Sequence, residues 1–175
     1  MTNKSLGVAL AASALLLASS AAMAATGTIL YGGAGGKGDP SSSNDGSVVI
    51  LDQSTAAVTV VGHPAGVARM AGLTFDATGA LYGSTVTAGG PPITSTLIRV
   101  DPDTGALLQL VGPITNGPGG PTMAISDLAT QPGTDVLFGV EPPIDRLGGA
   151  SKLYTISKTT AVATLVGSTP GRLAS

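Results

Sequence analysis

Cysteine and tryptophan are absent from this 175-residue chain, and three tyrosines and two phenylalanines are its only aromatic residues. Without cysteine, a disulfide scaffold and a cysteine-ligated zinc or iron–sulfur centre are excluded. Charge is scarce as well: eight Lys and Arg against ten Asp and Glu give a formal net charge of -2. Phosphate binding needs clustered basic side chains, so no nucleic-acid partner is expected. A single histidine, His63, cannot by itself build an ordinary histidine metal site. What the chain has in quantity is glycine, at 26 residues, with 12 prolines and a hydrophobic fraction of 43%. That fraction is too high for a disordered chain.

The first segment is not part of the fold. Lys4 supplies a short positive region, and an apolar run containing Leu15, Leu16 and Leu17 follows over 6–18. Small and polar residues then lead into Ala22-Met23-Ala24. This order is that of a secretory signal peptide over 1–24, with cleavage before Ala25. The apolar run is too short for a membrane anchor, because a spanning helix needs about 20 residues. No later run of 18 apolar residues exists, so no membrane span is expected. Without a twin Arg the general export route is indicated, and without cysteine there is no lipid anchor. The expected mature protein is one domain over 25–175, exported to the periplasm or the extracellular space. With no disulfide available there, packing alone must stabilise it.

The remainder repeats itself. Leu30-Tyr31-Gly32, Leu81-Tyr82-Gly83 and Leu137-Phe138-Gly139 form one set. Val49-Ile50-Leu51-Asp52, Ile98-Arg99-Val100-Asp101 and Tyr154-Thr155-Ile156-Ser157 form a second. A third is Val58-Thr59-Val60-Val61-Gly62, Leu108-Gln109-Leu110-Val111-Gly112 and Ala163-Thr164-Leu165-Val166-Gly167. Gly72-Leu73-Thr74-Phe75-Asp76 and Asp127-Leu128-Ala129-Thr130 make a fourth. The sets recur in the same order at spacings of 49 to 56 residues. Each is rich in β-branched and apolar residues and bounded by Gly, Asp and Pro, which predicts a short strand. Tight turns are expected at Asp52-Gln53-Ser54-Thr55-Ala56 and Asp101-Pro102-Asp103-Thr104-Gly105, with Gly105 as a one-residue insertion in its copy. Ala77-Thr78-Gly79 and Pro132-Gly133-Thr134 turn the chain again. No stretch after residue 24 has sustained helical periodicity. Four strands in about 50 residues is the arithmetic of a β-propeller blade.

The phrases LTFDATGALYG, LIRVDPDTGALLQLVG and SKLYTISKTTAVATLVG resemble the repeats of bacterial secreted β-propeller proteins. The resemblance covers about three repeats, roughly 28–76, 77–130 and 131–175. It implies an all-β, β-propeller-like array of about three four-stranded antiparallel blades, a partial propeller. Propellers typically have four to eight blades. Three blades leave apolar end faces, with Leu30, Val49, Leu153 and Leu165 among the residues expected to be exposed. Self-association that completes a propeller would cover them. Arg172-Leu173-Ala174-Ser175 resembles the fourth set. It either supplies the strand missing before residue 28 or begins a further repeat.

Site motifs mostly fail on context. Gly33-Ala34-Gly35-Gly36-Lys37-Gly38 matches a dinucleotide fingerprint, but a loop follows where the pyrophosphate would need a helix N-terminus. Asp101-Pro102-Asp103-Thr104-Gly105 hints at a calcium loop, yet Gln53, Ser54 and Lys158 stand in the other copies, and calcium wants six to eight oxygens. His63 precedes Pro64 in a loop and has no nucleophile elbow to serve. The loop acids Asp39, Asp45, Glu141 and Asp145 show no glycosidase spacing and read as solubilising. Tyr31, Tyr82, Phe138 and Phe75 recur at repeat positions and read as core. No catalytic, cofactor-binding or metal-ligating residue is therefore assigned.

The most variable stretches are 33–47, 84–96 and 140–152. Each joins the same two strands, which puts all three at one end of the array, where binding loops usually lie. The expected function is an exported non-enzymatic binding or surface-associated module whose ligand is a protein or a glycan. The alternatives are a fragment of a larger propeller hydrolase or lyase and a degenerate gene product. N-terminal sequencing of exported protein is expected to begin at Ala25; a mature chain that retains Leu15 to Leu17 would contradict the signal peptide.

Overall fold

The computed structural model describes residues 29–35, 44–87, 92–143 and 149–171. The segment 1–24 and residues 172–175 lie outside them. Every regular element among the described residues is a strand; none is a helix. The first sheet holds β1 (Leu30–Gly33), β2 (Val48–Leu51) and β3 (Val58–Gly62) in chain order. The second holds β4 (Met70–Phe75), β5 (Leu81–Thr85), β6 (Thr96–Val100) and β7 (Leu107–Pro113), again in chain order. The third contains β8 (Thr115–Asn116), β9 (Asp127–Thr130), β10 (Leu137–Glu141), β11 (Lys152–Ile156) and β12 (Val162–Ser168). Its order is β8-β12-β11-β10-β9, and the β8–β12 pair is parallel. The sheets therefore hold three, four and five described strands, where the repeat arithmetic expects four in each.

The repeat is visible in the register. Leu30 faces Leu51, Leu81 faces Val100, and Leu137 faces Ile156. Gly32, Gly83 and Gly139 face Val49, Ile98 and Tyr154 in the same manner. Each last strand carries one extra residue just before a glycine, at Val61, Val111 and Val166. Such a bulge bends the outer strand and increases its twist.

The sequence predicts Gly105 as a one-residue insertion, and the structure differs. Gly105 is not an insertion. The turns that open on Asp52, Asp101 and Ser157 are the same length, closed by amide bonds from Ala56, Gly105 and Ala161 to the first residue's carbonyl. All three closing residues have positive φ, at 57°, 68° and 57°. Glycine meets that demand without steric cost and alanine meets it with some. The extra residue of the second copy is Leu108, absorbed as a further bulge in β7 between the Arg99 and Val100 pairings.

Two apolar clusters hold the sheets to one another. Val48 of the first sheet packs with Leu81, Ile98 and Val100 of the second, and Met70 and Val67 fill between them. On its other face the second sheet presents Tyr82 and Leu97 to Leu128, Leu137, Tyr154 and Ile156 of the third. The linker between these two sheets adds Ile114, Met123 and Ile125 to that cluster. The linker is pinned by Ser95, whose hydroxyl accepts from the Ile125 amide at 2.9 Å and donates to its carbonyl at 3.2 Å. Each fully buried Leu, Ile or Val here contributes about 1.5–3 kcal/mol relative to exposure.

The aromatic residues divide. Tyr82 is core, whereas Phe75 is 37% exposed and stacks edge-on against the half-buried Tyr31, with centroids 5.1 Å apart. Of the residues expected at free end faces, Leu30 and Leu165 are exposed. Leu153 is half-buried and Val49 only 7% exposed, because Val49 lies over the bare backbone of Gly32 on its own sheet.

Close packing of β4 on β9 depends on Gly72. A Cβ there would lie 2.5 Å from the Leu128 nitrogen and 2.8 Å from the Asp127 Cα, both backbone atoms that cannot swing aside. Gly72→Ala is expected to destabilise the fold by about 1–3 kcal/mol, as overpacking does. Denaturant melts check this; an unchanged midpoint would mean that β4 and β9 are not held this closely.

Candidate functional site

The antiparallel connections sort the polar groups to two ends. The β1–β2, β5–β6 and β10–β11 connections lie at one end, and the tight turns lie at the other. At the first end a cavity of about 330 Å³ opens between the stems of all three connections. Gly33 and Gly35 line it from the first, Val86 and Ile93 from the second, and Pro142 from the third. Met70 and Ala71 of β4 and the linker residues Ala124, Ile125 and Ser126 complete the wall. The lining carries no charged and no aromatic side chain. Its one hydroxyl, on Ser126, donates to the Val140 carbonyl at 3.2 Å. The side chains that line it are aliphatic or small, and its polar surface is otherwise backbone. The tips at 36–43, 88–91 and 144–148 lie outside the described residues.

The sequence pointed to these connections but not to the cavity, whose floor is Met70 and Ile125. Both are also core residues, so nothing in the sequence separates them from the rest of the packing. The hydroxyl of fully buried Ser84 is the one buried side-chain polar atom without a hydrogen-bond partner among the described residues.

The remaining sequence candidates are occupied locally. The His63 ring is exposed and its Nε2 donates to the Asp45 carbonyl at 2.9 Å, tying the segment after β3 to the turn before β2. Glu141 accepts from the Tyr154 hydroxyl at 2.9 Å and lies 3.2 Å from the Lys152 ammonium. Burial and that carboxylate push the Tyr154 phenol up to about 12. Asp101 takes the amides of Asp103 and Thr104 on one carboxylate oxygen, which lowers its pKa. Asp52 is held far below the usual carboxylate range by the Ser54 hydroxyl, the Thr55 and Ser54 amides and the Thr55 hydroxyl. Both aspartates thus act as caps of their own turns. Asp39 and Asp145 lie outside the described residues.

At the turn end one cluster went unforeseen. Lys158 bridges Asp76, at 3.0 Å, and Asp135. Its ammonium also stands 5.8 Å from the centre of the Tyr82 ring. Asp135 in turn accepts from the Ala77 amide at 2.8 Å. The three charges come from three different turns, so only the packing of the second sheet on the third brings them together. Burial alone would raise the Asp76 carboxyl. Hydrogen bonds from Thr78, Lys158 and the Ala80 and Thr78 amides outweigh it and hold the pKa well below normal. Burial likewise disfavours the Lys158 charge, but the two carboxylates outweigh it and raise its pKa. Asp135 is lowered by the Ala77 amide and by Lys158. Each carboxylate is consumed by the lysine and by backbone amides, so the cluster is a staple between sheets.

Lys158→Met is expected to cost about 1–3 kcal/mol, since it leaves the largely buried Asp76 without its cation. Depressed aspartate pKa values stabilise the fold above the unfolded carboxylate value and lose that contribution as pH falls. The gap between wild type and variant should therefore be full near neutrality and narrow as pH drops below about 4. Urea melts at several pH values check this; a gap independent of pH would remove the ion pairs as its cause.

Among the described residues no helix is long and apolar enough to cross a membrane. Comparison with known proteins finds no matching family model, no matching curated protein and no matching solved structure.

Proposed function

We propose that this chain is an exported, non-enzymatic binding module whose sheets form a propeller-like array. Its ligand is an apolar group of a protein partner, taken up at the connection end. One observation carries this: the stems of three connections, variable in sequence, converge on a single apolar cavity. A rigid scaffold that presents variable loops around one concavity is a common arrangement for recognition. A glycan would call for aromatic stacking faces and free polar side chains, and the lining has neither. Among the described residues, Asp52 and Asp101 are tied up in turns, Asp76, Asp135 and Lys158 in the staple, and Glu141 with Lys152 and Tyr154. Support for the array comes from the common register of the three sheets and their face-to-face packing in chain order. Support for export comes from the residue order over 1–24.

Selection of a displayed random-peptide library on the purified chain tests the proposal. Enriched peptides are expected to share one large aliphatic or aromatic anchor. Ile93→Asp alters the rim at a residue already 50% exposed, so the fold should tolerate it. It should weaken the selected peptides by about tenfold or more, the scale of one lost anchor. Peptides without a common anchor, or unaffected by Ile93→Asp, would count against this site.

A further inference from the structure

The repeat makes it possible to compare the same position in three sheets. Leu81 and Leu137 are 0% and 1% exposed because the preceding sheet covers them. Their counterpart Leu30 is 49% exposed. Ala163 is fully buried beside Ile156, whereas Val58, beside Leu51, is 57% exposed. The turn residues follow the same rule: Gly105 and Ala161 are buried and Ala56 is exposed. In its three described strands the first sheet thus repeats the face that the other two sheets bury, with Leu30 and Val58 exposed on it and Val49 not.

The third sheet shows the converse. Tyr31 meets Phe75 of the second sheet, and Tyr82 is buried against the third. Phe138 occupies the same register position on the face no sheet covers. Val48 and Leu97 are fully buried, while their counterpart Leu153 is half-buried. The interlock between sheets is unfilled there too. Gly62, at the end of β3, receives the Gly105 turn so closely that a Cβ would collide with the Thr104 carbonyl. Gly167, its counterpart in β12, faces open space.

We infer that the first sheet of one copy of this chain docks onto the third sheet of a second copy. Leu30, Leu51 and Val58 would lie against Phe138, Val140 and Leu153, and the 52–56 turn would sit over Gly167. The contact continues the two internal sheet junctions. Its carboxylates, Asp127 opposite Val140 and Asp52 in the turn, already accept backbone amides of Leu128 and of Ser54 and Thr55. Such an interface joins unlike surfaces, so it yields a ring if the rotation closes and an open chain if it does not. The docking is independent of what the cavity binds.

The absence of cysteine makes the test direct. Ala56→Cys and Gly167→Cys chains, one of them tagged, are mixed and oxidised. By analogy with the Gly105–Gly62 contact, the two positions fall within disulfide reach across the interface. A mixed disulfide in several-fold excess over either homodimer is expected. Random pairing, or no cross-link, overturns the proposal. Sedimentation velocity of the unmodified chain should show mass increasing with concentration over about 1–100 µM, the range of a moderate association. Gly167→Arg, placed in open space, should leave the melt of the isolated chain unchanged and abolish the association. A monomer at every concentration, or association indifferent to Gly167→Arg, would refute the docking.

Discussion

Among the described residues, the apolar faces of these sheets are covered by one another and by the links between them. Among the described residues no helix lies over any sheet, so what buries an apolar face there is the next sheet and the link to it. The second sheet sits between two neighbours and is apolar on both sides, with Leu81, Ile98 and Val100 in one cluster and Tyr82 and Leu97 in the other. Strands buried on both faces lose the alternation of a half-exposed strand. The outer strands are less covered: in β7, Leu108, Gln109 and Leu110 are all exposed. Close approach of the sheets also explains why glycine recurs on the inner strands. Gly72 admits β9, and at Gly139 a Cβ would meet Ile156 and Ile125.

The polar residues are spent on geometry. Four turns, opening on Asp52, Asp101, Gln131 and Ser157, share one backbone hydrogen-bond pattern. In three of them the opening side chain accepts the amides of the next turn residues. In the fourth, Gln131 accepts from the Thr134 hydroxyl, and Asp135 at its end turns outward to Ala77 and Lys158. Asp52 and Asp101 are committed to turns, and Asp76, Asp135 and Lys158 to one inter-sheet staple. The cavity at the connection end is lined by backbone, small residues and aliphatic side chains.

The three copies differ where their surroundings differ. The 63–69 link from the first to the second sheet is short and contributes Val67 to the core. The link from the second to the third is longer. It inserts three side chains into the core and adds β8 beside β12, so the third sheet has a fifth strand. Gly112 has no turn pressed against it; instead the Ala161 turn reaches Thr115, whose amide donates to the Ala161 carbonyl.

Strand positions, turn positions and the threefold repetition were legible in the sequence, because they follow from local composition: apolar β-formers for the strands, Asp, Pro and Gly for the turns. The all-β class followed from the same local signals. Whether Gly105 was an insertion could not be read locally, since Gly105, Ala56 and Ala161 differ as residues and agree only in φ. Nor could Leu108 be identified as the extra residue, because a bulge is defined by the partner strand. The Lys158 staple joins residues 82 and 23 positions apart, and the cavity takes its walls from all three sheets' connections. Their spacing in the chain carries no trace of either. Only the packing of sheet on sheet decided which aspartates meet the lysine, which apolar residues line a cavity, and which faces are left uncovered.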